Sequence, residues 1–204
     1  MIANFIRGVG LFIILINMPL FFTGVFPEYV LEFTNFKAAL PFFTIVNAVA
    51  SGVFADYCET DRGGNRYRMR GFISAFGTLI TIPALYVTFI LQPNFWACAG
   101  CLILDMLIGN QFFSLSISMV NNILPVRVQG TGIAIFLFSL NISAIVSQIL
   151  QGALTSGIPN TDSKFGEMLG WISIGSCVVS IPFFIFGGLT YEKKMRDIKV
   201  PNAN

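Results

Sequence analysis

Asp105 is the only charged residue within six long apolar segments of this 204-residue chain. A charge at the centre of a bilayer costs about 2.5–3.5 kcal/mol on insertion scales, so an acid retained there is a candidate for proton or solute coupling. Counted from the segment ends, no lysine, arginine or histidine falls at the same depth. Asp105 is then either often protonated, facing water, or paired with another polypeptide. A neutral, hydrogen-bonded structural acid is the plainer alternative.

Amides and hydroxyls follow it along the same segment. Gln111, Ser114, Ser118, Asn121 and Asn122 recur at helical spacing and share one face. Asn141, Gln148 and Gln151 form a second stripe in the next segment. An amide facing lipid would lack a partner, so both stripes should face other helices or a wet cavity. Interhelical hydrogen bonding and the lining of a solute route are both open. Asp105, Asn110, Gln111, Ser114, Asn141 and Gln148 are the leading cavity or coupling residues, with Asn17, Thr23 and Asn47 behind them.

Other chemistry is poorly served. The chain has four cysteines and no histidine. Cys98-Ala-Gly-Cys101 has redox or zinc spacing but no second pair, and reads as two small packing residues. Without histidine, Ser-His and Cys-His catalysis are excluded. No enzyme, metal site or cofactor is expected.

The elements that position these residues are the apolar segments Gly8–Phe26, Ala38–Ala55, Gly71–Leu91, Phe95–Leu124, Val128–Ile158 and Met168–Tyr191. A helix of about 20 apolar residues crosses a bilayer core. Charged residues make up 11% of the chain, against about 25% in a soluble domain, too few to coat a water-facing surface. The expected fold is all-α and integral to the lipid bilayer, with a six-helix domain over residues 1–191 and a polar tail over 192–204. The first segment is longer than a signal-peptide core and lacks a small-residue cleavage site, so it reads as a retained helix.

Basic residues orient the helices. Arg7, Arg62, Arg66, Arg68, Arg70, Arg127, Lys193, Lys194, Arg196 and Lys199 fall on the side of the N-terminus, and only Lys37 and Lys164 on the other. By the positive-inside bias both termini should be cytoplasmic. The basic residues are short juxtamembrane clusters rather than one basic face, so nucleic acid is not an expected partner. Pro41, Pro83 and Pro182 lie within segments and can kink them, and Gly71/Ala75 and Gly166/Gly170 have small-residue spacing that admits close helix approach.

Two connections resemble those of the major facilitator superfamily. After the second segment, Gly52-Val-Phe-Ala-Asp56 is followed by Arg62, Gly63, Gly64, Arg66, Arg68 and Arg70. This is similar to the family signature of a glycine, three residues, an aspartate and then basic residues around a glycine. The family places a basic residue directly after the aspartate, whereas Arg62 comes six positions later. Between the fourth and fifth segments, Pro125-Val-Arg127-Val-Gln-Gly130 resembles the family's Pro-x-x-x-Arg-Gly connection, with the arginine slightly earlier. The loop spacing and residues 110–155 look most like spinster-like members.

The resemblance implies one six-helix half, by its tail a C-terminal half, of a twelve-helix transporter that works by alternating access. It implies a small organic or lipid-like solute, of lysolipid or sphingoid type in the spinster-like case. Gly52, Asp56, Arg62 and Arg66 would form a gating motif, and Pro125, Arg127 and Gly130 a second loop motif. The partner would be the missing N-terminal half or a second copy of the chain. The other expectation is a non-transporting six-span protein that associates with or regulates a full-length transporter. In that case the arginine cluster only anchors anionic headgroups.

Overall fold

The computed structural model describes residues 1–60, 66–159 and 163–199, and these are almost entirely helical, with no strand among them. Arg62 and the C-terminal Pro-Asn-Ala-Asn segment lie outside the described residues. Six helices are long and apolar enough to cross a membrane. They are α1 (Ile2–Val25), α2 (Val30–Thr60), α3 (Met69–Leu91), α4 (Phe95–Ile123), α5 (Gln129–Thr155) and α6 (Ser163–Lys199).

Local chemistry sets several of their ends. Pro27 follows α1, and Pro125 holds Leu124 in an extended conformation, which stops α4. The α3–α4 hairpin turns in three residues. Gln92 takes a left-handed conformation with φ 46°, and the side chain of Asn94 accepts from the backbone N–H of Ala97 at 2.8 Å, capping α4.

Several helices run past the segments expected from sequence, α2 among them at Val30–Thr60 rather than Ala38–Ala55, and two of the extensions bear on the site. α1 begins at Ile2 rather than Gly8, which brings Arg7 into the helix. α6 continues through Tyr191 to Lys199, so much of the expected polar tail is helical. In both places a charged residue marked the end of an apolar run, but a helix that packs against protein continues past isolated charges.

α1 packs on α5 and α6, α4 packs on α2 and α3, and α3 packs on α6. Exchanging α1 with α4, α2 with α5 and α3 with α6 maps this set of neighbours onto itself. α1 and α4 are antiparallel, since Asn4 meets Ser116 near one end and Phe22 meets Phe95 at the other. The two three-helix units therefore relate to each other with inverted direction, as in an inverted-topology repeat.

Lipid offers no hydrophobic drive between helices, so close fit must hold the bundle together. At the crossing of α3 and α6 a β-carbon on Gly71 would run into the backbone of Gly188 and the carbonyl of Phe184. The largest packed cluster runs from the middle of the bundle to the end remote from the termini. There Phe22 stacks on Phe33 with centroids 4.8 Å apart, and Tyr29 stacks on Phe95 at 4.9 Å. Aromatic pairs contribute about 0.5–1.5 kcal/mol each beyond their area.

The burial is uneven. Only 22% of the most apolar stretch of α2 is buried, and the same share of α5, against 56% for α3 and α4. Each of these two helices leaves a broad face uncovered.

Candidate functional site

The centre of the site is a wholly buried ion pair. Arg7 of α1 donates through Nη2 to Asp105 Oδ1 at 3.2 Å, and both side chains are 0% exposed. This corrects the expectation that the chain holds no cation at the depth of Asp105. The sequence places Arg7 as the basic start of the first apolar segment, on the inside face, but the helix begins at Ile2, about one and a half turns upstream.

The backbone around Asp105 is built to present it. Residues Asp105–Gly109 form a π-helical turn between two α-helical stretches. Such widened turns insert a residue into the helix and occur often at functional sites. Asn47 of α2 donates to the Met106 carbonyl in this turn at 3.0 Å, and Asn110 donates to Met106 Sδ at 3.1 Å. Gly109 is required sterically: a β-carbon there would collide with Asp105 Oδ1 and Thr81 Oγ1. The Thr81 hydroxyl of α3 thus lies beside the carboxylate. Phe112, one turn further on, places its ring centroid 5.4 Å from the Arg7 guanidinium carbon, within cation–π range.

The pair is under-satisfied. Arg7 Nε and Nη1 and Asp105 Oδ2 are buried with no hydrogen-bond partner among the described residues. Arginine carries five N–H donors and a carboxylate about four acceptor positions. One bond between them leaves spare donor and acceptor capacity side by side, suited to water, a proton carrier or a small polar group.

A second cluster lies at the end of the bundle that holds both termini. Arg70 in the first turn of α3 donates through Nη2 to Asp56 at 2.7 Å and through Nε to Glu59 at 2.8 Å, both on α2. Its Nη1 donates to Ser118 of α4. One arginine therefore ties three helices together. The gating motif grouped Asp56 with Arg62 and Arg66; the structure pairs Asp56 with Arg70, and Arg66 is exposed with no ion pair to Asp56 among the described residues. The missed signal was Glu59, three residues after Asp56 on the same helical face. Gly52 is not a close-approach point within this chain, because a β-carbon there would meet nothing within 4 Å.

The α4 stripe joins helices. Gln111 donates to the Ile73 carbonyl at 2.7 Å, Ser114 shares a 3.0 Å hydrogen bond with Ser51, and Asn122 donates to Tyr191 at 3.0 Å. With Ser118 on Arg70, the stripe reaches α2, α3 and α6 in turn. The α5 stripe does not join it. Asn141 is exposed and donates to its own helix at Leu137, and Gln148 donates to the neighbouring Ser147. Asn17 and Thr23 likewise bond within α1.

In the second loop motif, Pro125 opens a short 3-10 turn, and Arg127 and Gly130 are exposed. The close contact falls at Gly132 instead, where a β-carbon would strike the Leu124 side chain. Cys98 is buried and donates to the Thr88 carbonyl at 3.5 Å, as a packing residue would.

No protein-family model matches the chain, and no curated protein or solved structure matches it either. Among the described residues the chain is helical throughout apart from its short connections, with six helices long and apolar enough to span a membrane and a buried ion pair between α1 and α4.

Proposed function

We propose that the chain is a six-helix transport unit of major facilitator type, moving a small organic or lipid-like solute by alternating access. The observation that carries this reading is the Arg7–Asp105 pair. It sits between α1 and α4, the helices that exchange under the inverted repeat, with unused donors and an unused acceptor in the bundle interior. Ionisable groups within membrane spans mark solute paths and proton relays, and such sites lie near the interface of inverted repeats. Loss or gain of a proton or polar solute would change what Arg7 and Asp105 offer each other, and with it the packing of α1 on α4.

Arg70, Asp56 and Glu59 act in this reading as a latch at the cytoplasmic end. Asp56 remains 68% exposed, so it can release Arg70 to water at little cost, while Glu59 and Ser118 retain it. The uncovered faces of α2 and α5 are where a second six-helix unit would pack, either an N-terminal half or a second copy. That would give Asn141 and Gln148 partners or a shared wet cavity.

The same open faces favour a second reading, a non-transporting chain docked on a full-length transporter. Uptake by reconstituted vesicles separates the two. A panel of sugars, amino acids, carboxylates and lysolipids is offered to vesicles with and without the chain. Accumulation that is weakened by Asp56→Asn supports transport. Uptake unchanged by the chain's presence supports docking.

A further inference from the structure

A cavity of about 430 Å³ opens at the end of the bundle that holds both termini. It is separate from the ion pair and from the Arg70 cluster, and its volume is in the range of small-molecule sites, roughly 300–1,000 Å³. Its walls come from the start of α1, the last turns of α4, Phe136 of α5 and one face of α6.

Along α6 the lining residues Phe183, Gly187, Thr190 and Lys194 recur at helical spacing and form one stripe. At Gly187 a β-carbon would meet nothing within 4 Å, so this glycine widens the cavity rather than admitting another helix. The polar floor is already satisfied, because Ser116 donates to Asn4 at 2.9 Å. What remains is apolar, and it opens sideways. Ile2 and Phe186 on its rim are 63% and 70% exposed, on the surface that meets acyl chains in a membrane.

Lys194 stands at the mouth, exposed, and forms no ion pair among the described residues. The neighbouring Arg196 is engaged with Glu192 at 2.7 Å. Lys194 lies seven residues beyond Gly187, two helical turns or about 10 Å along α6. An unpaired cation about 10 Å from an apolar recess matches an amphiphile whose anionic head is held at the membrane surface and whose tail enters the bundle.

We propose that this cavity binds one anionic phospholipid, with an acyl chain packed over Gly187 and the phosphate held by Lys194. The site rests on the membrane reading of the chain but not on transport. The bound lipid would bridge α1, α4 and α6 at the end where the Arg70 latch also acts.

The test is native mass spectrometry of the purified full chain released from micelles containing equal phosphatidylglycerol and phosphatidylcholine of the same acyl chains. The expected result is one retained phosphatidylglycerol per chain, in clear excess over phosphatidylcholine. Lys194→Gln should abolish that preference, and Gly187→Phe, whose β-carbon meets nothing within 4 Å and whose ring would occupy the recess, should abolish retention. Gly175→Phe is the control, since Gly175 is equally open but outside the cavity. Equal retention of the two lipids, or retention untouched by both Lys194→Gln and Gly187→Phe, would overturn the proposal. So would loss of lipid in Gly175→Phe to the same degree as in Gly187→Phe.

Discussion

Arg7 and Asp105 are 98 residues apart in the chain, yet their side chains meet at 3.2 Å, wholly buried in the bundle. The contact joins α1 to α4, the first helices of the two inverted three-helix units. Removing one partner of a buried pair strands the other charge and typically costs about 3–5 kcal/mol, whereas replacing both by apolar groups is often neutral. Arg7→Met alone and Asp105→Leu alone should therefore each lower the thermal unfolding midpoint in detergent, and the double variant should recover most of the loss. A double variant as unstable as the sum of the singles would show that the two side chains do not act as a pair.

Arg70 should matter more than either acid it binds. Arg70→Gln removes the charge that ties α2, α3 and α4 together and leaves Glu59 without its partner. Asp56→Asn breaks only a mostly exposed pair, for which about 0–1 kcal/mol is usual. Hydrogen exchange over the ends of α2 and α3 reads the difference. Arg70→Gln should deprotect both helix ends, and Asp56→Asn should leave them close to wild type.

The two polar stripes should respond differently to the same kind of substitution. Gln111→Leu loses an interhelical hydrogen bond, a class that averages about 0.6 kcal/mol in membrane proteins and reaches about 1.7. Asn141→Leu loses only a bond to its own helix. In the isolated chain the first should lower the midpoint and the second should not. If both lower it equally, α5 is packed on the rest of the bundle more closely than its exposed amide indicates.

The six apolar segments and the helical phase of the α4 stripe were legible in the sequence, because apolar runs and helical spacing are local properties. Asp105 was legible as an outlier for the same reason. Its partner was not, since Arg7 looks like a flanking anchor until α1 is seen to start five residues before it. The role of Arg70 was hidden similarly: five arginines crowd the segment 62–70 and 127, and only the fold decides which one turns inward. The α5 stripe shows the opposite case. Its spacing matched an interior face, but the described chain leaves that face uncovered.

That uncovered surface gives a prediction about assembly. Under the proposed function the uncovered faces of α2 and α5 receive a second unit, so the chain in mild detergent should run at no less than twice its 22.4 kDa protein mass, as a pair of copies or with that unit. Light scattering with correction for detergent gives the protein mass directly. Ile45→Lys and Ile145→Lys, each placing a charge on one of these faces, should shift the population toward the single chain. A stable single chain from the outset would remove the case for a second unit.

The most direct measurement is solute uptake by reconstituted wild-type chain, in whatever assembly it forms, against Asp105→Asn. The substitution keeps the shape of the side chain and removes its charge. Loss of one charge-assisted hydrogen bond, about 1.5–3 kcal/mol, corresponds to a rate at least about tenfold lower. The account predicts that at least one offered solute accumulates and that Asp105→Asn slows uptake per folded chain by that factor or more, beyond its cost in stability. No uptake of any solute by any assembly containing the chain, or uptake by Asp105→Asn at the wild-type rate, would contradict it.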